Sequence, residues 1–352
     1  MKKVTALLLL TALLLSVTAC TPKASSTTHP ASAEPSRAEV SIADPNAPIT
    51  VTDQAGRTVT TTQPVNRIAV CWYMANDFVL AMDLGDKLVA AGPRDDFQKM
   101  VLPALNDMDT VGKGRPDMEK LAAMKPDLFI HTIGDKENRE AVDALGIPMI
   151  LIDPETIDKT LDAYQIIGEA VGKPERAQML NKLYHSIVDK AQSLVGSTPE
   201  TNRPTFVLLG KDSSKVANGG MMQAEMLTAA GGVNLAQSLE GAGLWPEAGT
   251  EQVFAWDPNY LFISSTSAIS AADLMKDPAW ADLQAVKNGK VYQIPGTLHH
   301  WENPGMATCL GTLWAANKMY PGTLSDADFD AVVTDFYKTV YGLDMNRETL
   351  GY

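Results

Sequence analysis

Past residue 66 the chain alternates two kinds of apolar pattern. Short uninterrupted runs come at Arg67 to Cys71, Lys87 to Ala91, Asp127 to His131 and Pro148 to Ile152. The second half repeats them at Thr205 to Leu209, Tyr260 to Ser264 and Lys290 to Ile294. Runs of this length without polar alternation predict strands covered on both faces. The stretches between them carry apolar residues at helical spacing, such as Asp77 to Leu84, which Gly85 closes. Strands alternating with helices predict an α/β fold with mostly parallel sheets. Ahead of them, Val51 to Val59, with Asp53 and Gly56-Arg57 at its middle, predicts a short hairpin.

Between the two halves lies a longer helical signal. From Pro174, a favoured first helical residue, to about Val195, apolar side chains recur at Ala177, Leu180, Leu183, Tyr184, Ile187, Val188, Ala191 and Leu194. The pattern predicts one helix of about 22 residues and about 33 Å. That length suits a stiff spine between two lobes, and periodicity alone equally fits a core helix inside one domain. A weak repeat supports two lobes. Glu119 through Pro126-Asp127 to Ile130 aligns with Glu251 through Pro258-Asn259 to Phe262, 132 positions later. In each copy an acidic residue opens a short helix, Pro stops it and an apolar strand follows. Glutamate there favours the positive end of the helix dipole, with Asp117 and Gly249 as the expected caps. Matching glutamates also suggest a paired surface role.

The N-terminus changes the picture from fold to location. Lys2 and Lys3 precede an apolar run from Ala6 to Leu15 and then Val17-Thr18-Ala19-Cys20, a signal peptide pattern over residues 1–19 with a lipobox. The run is shorter than the roughly 17–25 residues a membrane span needs. Cys20 is therefore expected to carry a lipid, and residues 20–48, rich in Ser, Thr, Ala and Pro, to form a disordered tether. The formal charge of −13 becomes −15 without the two lysines, which disfavours nucleic acid and anionic lipid as partners. Cys71 and Cys309 lack the spacing of a zinc or redox motif and are expected to be buried thiols. No G-x-S-x-G, H-E-x-x-H or Gly-rich phosphate loop is present, so an exported hydrolase is disfavoured.

Several short motifs stand in order: Asp53-x-x-Gly56-Arg57-x-Val59, Pro64-x-x-Arg67-Ile68-Ala69, Leu84-Gly85-Asp86-Lys87-Leu88-Val89-Ala90, the Glu119 to Asp127 segment, Leu145-Gly146-Ile147-Pro148 and Gly231-Gly232-Val233-Asn234. Over residues 50 to 345 the chain resembles the substrate-binding proteins of ABC importers for ferric siderophores, haem and vitamin B12. The resemblance implies an N-terminal α/β lobe at 49–170, a connecting helix at 171–197 and a C-terminal α/β lobe at 198–352, with the ligand gripped between lobes. It further implies a monomer that works with a permease and its ATPase, and it places permease-docking carboxylates at Glu119 and Glu251. No cofactor and no catalytic residue is expected.

Ligand contacts are sought where parallel strands end. Those ends supply Trp72 and Tyr73, Arg94, His131, Lys211, Thr266, and the run Thr297-Leu298-His299-His300-Trp301-Glu302. Aromatic rings would form an apolar wall, and Arg94 with Lys211 would hold an anionic chelate. His131 with His299 or His300 is a candidate metal or haem-iron pair across the cleft. Met221, Met222 and Met226 read as packing. An iron–siderophore chelate is the expected cargo, with molybdate or tungstate, haem and cobalamin as alternatives. Trp301-Glu302-x-Pro304, Leu313-Trp314-Ala315 and Tyr320-Pro321 are similar to a subgroup in which molybdate-type binders fall. With five histidines, one of them His29 in the tether, a zinc or manganese adhesin is the weaker reading.

Overall fold

Burial on both faces decides where the strands lie. The computed structural model describes Asp44, residues 46–239 and residues 244–352. The signal peptide, Cys20 and most of the tether lie outside the described residues. β1 (Ile49–Thr52) and β2 (Thr58–Thr61) form the expected antiparallel hairpin. Its turn is held by Asp53, whose carboxylate accepts from the Ala55 and Arg57 amides and the Arg57 Nε–H, while Gly56 supplies a φ of 77°.

The first lobe runs β3 (Ile68–Val70), α1 (Tyr73–Ala81), β4 (Leu88–Ala90), α2 (Asp96–Val101), α3 (Met118–Met124), β5 (Leu128–Thr132), α4 (Arg139–Ala144), β6 (Met149–Ile152) and α5 (Ile157–Ala170). The spine α6 (Pro174–Val195) follows. The second lobe runs β7 (Thr205–Leu209), α7 (Met222–Ala229), β8 (Val233–Asn234), α8 (Gly249–Trp256), β9 (Tyr260–Ile263), α9 (Ala271–Leu274), α10 (Gln284–Lys287) and β10 (Val291–Gln293). α11 (Thr308–Met319), α12 (Asp326–Tyr341) and α13 (Arg347–Leu350) end the chain. Each apolar run is a strand within a residue or two of its expected place. α1 starts earlier than expected, directly after β3, and the two-residue β8 gives no run to detect.

Both sheets are parallel and share one order, β4-β3-β5-β6 and β8-β7-β9-β10. The sequence repeat is thus a structural one. α3 and α8 both end on a left-handed residue, Lys125 at φ 46° and Asp257 at φ 41°, before the Pro that starts the turn into β5 or β9. The next side chain braces the lobe's first strand: Asp127 accepts from the Asn66 and Arg67 amides, and Asn259 from the Thr205 amide. Asp117 caps α3 as expected, by accepting from the Lys120 amide. Gly249 does not cap α8; it is the first helical residue after Ala248.

α6 buries the predicted stripe, Ala177, Leu180, Tyr184, Ile187, Val188 and Ala191, against α5 and α11. At Gly168 on α5 a Cβ would lie 2.7 Å from the Cβ of Ala177, so glycine lets the two helices meet. The core does not stop at the lobe boundary. One hydrophobic cluster joins Ile68 and Phe78 of the first lobe to Phe206 and Trp314 of the second. α12 crosses the divide: the Arg176 guanidinium donates to the carbonyls of Ala81 on α1 and Val340 on α12, and Phe97 of α2 meets Tyr341 edge to face. Cys71 and Cys309 are free and buried.

Candidate functional site

Where the carboxyl ends of the two sheets face each other, a cavity of about 150 Å³ opens between the lobes. Tyr73 and Glu155 line it from the first lobe; Gln223, Leu244, Trp245, Ser264, Thr266, Glu302 and Asn303 line it from the second. Three grooves of about 540, 530 and 490 Å³ are larger: one is lined by Tyr292, Trp314 and Lys318 of the second lobe, one lies beside α6 and α12, and one is lined by Trp72 and Arg115 of the first lobe. The small cavity is where buried polar groups converge, and size alone does not mark a site.

Glu302 dominates it. The side chain is buried, and its Oε1 accepts from the Ser264 hydroxyl at 2.7 Å, the Ser265 amide at 2.6 Å and the Ser265 hydroxyl at 2.6 Å. Its Oε2 is also buried and has no partner among the described residues. Burial pushes the carboxyl above its ordinary value, against the serine bonds that favour its charge. The Gln223 amide beside it also has a buried oxygen without a partner and can turn either end to a ligand. The Tyr73 hydroxyl is pushed up to about 12 by burial and then by Asp77, Glu155, Glu302 and Asp95, so it stays a donor. Glu155 is raised by burial and by Asp153. Among the described residues no Lys or Arg lines this cavity.

Behind Tyr73, Asp77 accepts from Gln98 Nε2 and is pushed up to about 8, first by burial and then by Asp95. The folded protein therefore keeps a proton that the unfolded chain releases near 3.8, and stability falls as pH rises between these values. Asp77→Asn, which keeps the acceptor and removes the charge, is expected to raise the melting temperature at pH 8 and to leave it unchanged near pH 4. Calorimetry at both pH values checks this, and equal shifts at the two would contradict it.

The structure brings only part of the expected ligand set into this cavity. Tyr73 and Thr266 line the cavity; Trp72 lines a separate groove with Arg115 and Asp135. Arg94 donates to the carbonyls of Met108 and Gly92, and Lys211 is exposed and outside the cavity, so the proposed anion clamp is not assembled. His131 is buried, with Nε2 at 2.9 Å from Asp135 and Nδ1 at 3.6 Å from the Cys71 sulfur. Burial pushes that thiol up to about 12, and it stays protonated. His299 stacks on Phe97 with ring centres 3.8 Å apart and shares a hydrogen bond with Tyr337. Burial pushes it down to about 3, so it is a neutral packing ring across the lobe seam. Trp301 is wholly buried and donates its indole N–H to the same Tyr337 hydroxyl. His299 thus has a packing role, and a His131–His299 metal pair is not formed. Among the described residues no group of three His, Cys, Asp or Glu side chains is placed to hold a metal. His300 stands one step from the cavity, with Nδ1 at 2.8 Å from Ser265 Oγ.

Glu155, Gln223, Leu244, Trp245 and Asn303 carry no sequence signal of their own. Trp245 has a structural one: its φ of 61° is unusual for a bulky residue, and its ring covers Gly210, where a Cβ would lie 2.5 Å away.

The model of the periplasmic binding protein family matches residues 75–298, well over half of the chain. The chain belongs to the periplasmic binding protein family. The molybdate-binding protein MolA of Haemophilus influenzae is 24% identical over 322 residues, spanning 83% of this chain and 90% of its own. The uncharacterised ABC transporter substrate-binding lipoprotein YvrC of Bacillus subtilis is 24% identical over 289 residues, 79% of this chain and 88% of that one. In structure, molybdate-bound MolA superposes with a TM-score of 0.73 at 22% identity, covering 84% of this chain and 99% of MolA. Helicobacter pylori CeuE in a nickel–histidine complex gives 0.70 at 20% identity, over 84% and 96% of the two chains. This periplasmic binding protein is accordingly the substrate-binding component of an ABC importer and not an enzyme. Its small-molecule ligand is passed to a permease driven by an ATPase.

Proposed function

We propose that this periplasmic binding protein captures a divalent metal ion in a small organic chelate and presents it to its permease. The carrying observation is the buried Oε2 of Glu302, unpartnered in a cavity without Lys or Arg among its described lining. Leaving a buried carboxylate oxygen unpaired is costly, and a cationic or donor-bearing ligand removes that cost. About 150 Å³ is below the roughly 300–1,000 Å³ of drug-sized sites, which favours a compact cargo over haem or cobalamin. An iron–siderophore chelate, whose ferric ion is trivalent, is a separate cargo that the same carboxylate would accept only through a neutral or cationic face. The CeuE nickel–histidine complex is a precedent for a compact chelate on this fold.

Molybdate is the second reading, favoured by neutral donors in the same cavity: the Tyr73, Ser264 and Thr266 hydroxyls and the Gln223 and Asn303 amides. The two readings part on charge, because an oxyanion gains from a protonated Glu302 and a cation loses.

We further read residues 1–19 as a removed signal, Cys20 as the lipidated N-terminus and 20–48 as the tether. The lobes then span 49–170 and 198–352 around a connection at 171–197. The protein would work as a monomer on the outer face of the membrane. Native mass spectrometry with elemental analysis, on protein extracted from its host's membrane, tests location and cargo together. The expected result is a chain beginning at Cys20 with a diacylglycerol, carrying a divalent metal and a small organic mass. An uncleaved chain contradicts the anchor, and bound molybdenum overturns the chelate.

A further inference from the structure

We infer that Ser265, held by His300 in a space that only Gly296 leaves open, is the positioning residue that aims the free oxygen of Glu302 at the ligand. The inference rests on the reading that Glu302 contacts the ligand.

The geometry starts from a saturated oxygen. Three short hydrogen bonds fall on Glu302 Oε1, two of them from Ser265 through its amide and its hydroxyl, and the Thr266 amide also favours the charged carboxyl. Donors concentrated on one oxygen fix the rotation of the carboxyl group. The other oxygen is left buried without a partner among the described residues, in a side chain that lines the cavity. Ser265 does not itself line the cavity, so it acts through Glu302.

A hydroxyl has one proton. When Ser265 Oγ–H donates to Glu302, the contact with His300 at 2.8 Å requires the His300 Nδ1–H to donate to Ser265 Oγ. His300 thereby fixes which way the serine hydroxyl points. The packing requires Gly296: a Cβ there would lie 2.3 Å from Ser265 Cβ and 2.7 Å from His300 Nδ1. The chain His300 to Ser265 to Glu302 gives a structural reason for the second of the paired histidines.

The test uses isothermal titration of the full mature chain with nickel(II)–histidine. Ser265→Ala is expected to weaken binding about 10- to 100-fold, the usual cost of one hydrogen bond to a charged group. In a Glu302→Gln background the same change is expected to add less than about twofold, because a positioning residue has nothing left to position. His300→Asn, whose amide nitrogen can replace Nδ1, is expected to bind as wild type, whereas His300→Leu follows Ser265→Ala. If Glu302→Gln loses binding and Ser265→Ala does not, the inference is wrong and the reading of Glu302 stands. Additive losses in the double variant also overturn it, since they indicate a general structural role. If Glu302→Gln binds as wild type, or wild type ignores the probe, the underlying reading fails.

Discussion

Glu302→Gln is expected to reduce affinity for nickel(II)–histidine by about 30- to 5,000-fold at pH 7.5, from the roughly 2–5 kcal/mol lost when one member of a buried charged pair is removed. The substitution is nearly isosteric, and the remaining carbonyl can still accept from Ser264 and Ser265, so the fold is kept. What disappears is the charge on an oxygen that has no other partner among the described residues. The pH dependence has a definite sign. Burial raises the carboxyl, and a proton competes with a cationic ligand for the same oxygen. Wild-type affinity should therefore fall more than that of the variant when pH is lowered from 7.5 to about 6, since acid weakens the probe itself equally for both. Titration calorimetry at the two pH values measures both effects. Affinity that rises on acidification would assign the cavity to an oxyanion instead.

Reversing the two exposed glutamates should give the opposite separation. In Glu119→Arg with Glu251→Arg, import is expected to stop while ligand affinity stays within about twofold, as usual for surface changes away from a site. Both residues lie in the first turn of equivalent helices, α3 and α8, one per lobe, and neither lines the cavity. Each loses a favourable position at a helix N-terminus, which costs about 0.3–1 kcal/mol and leaves the fold intact. Rim charges act on docking rate and register, so two reversed charges on a permease surface of complementary sign should repel. Uptake of radiolabelled metal by cells, beside calorimetry on the purified variant, makes the comparison. Normal uptake would remove these residues from the docking role, and lost affinity would move them into ligand binding.

The strands were legible because parallel sheets buried on both faces demand continuous apolar runs. Val207 and Leu208 are both buried, though they point to opposite sides of the sheet. The spine was legible because Pro174 opens it and its apolar stripe keeps helical phase to Val195. The site was legible only where it touched those strands. Tyr73 and Thr266 follow strand ends, whereas Gln223, Trp245 and Asn303 reach the cavity through tertiary packing that no local pattern encodes. His299 and Trp301 mislead for a related reason. Polar-capable rings in a loop suggest a ligand until Tyr337, 36 or more positions away, is seen to take a hydrogen bond with each. Arg94 and Lys211 carry charge at strand ends, but backbone carbonyls engage one and the surface holds the other.

The helix that crosses the divide has an evolutionary consequence. Two sheets of one strand order, each with the same helix, proline and bracing side chain, have the form of an ancestral module copied once. α12 ties the two together. With Tyr341 against Phe97 and Arg176 tied to both Ala81 and Val340, a recombination that exchanged one lobe for a foreign one would strip the other of its cover. Cargo preference in such a chain would therefore diversify by substitution around the cavity rather than by shuffling halves.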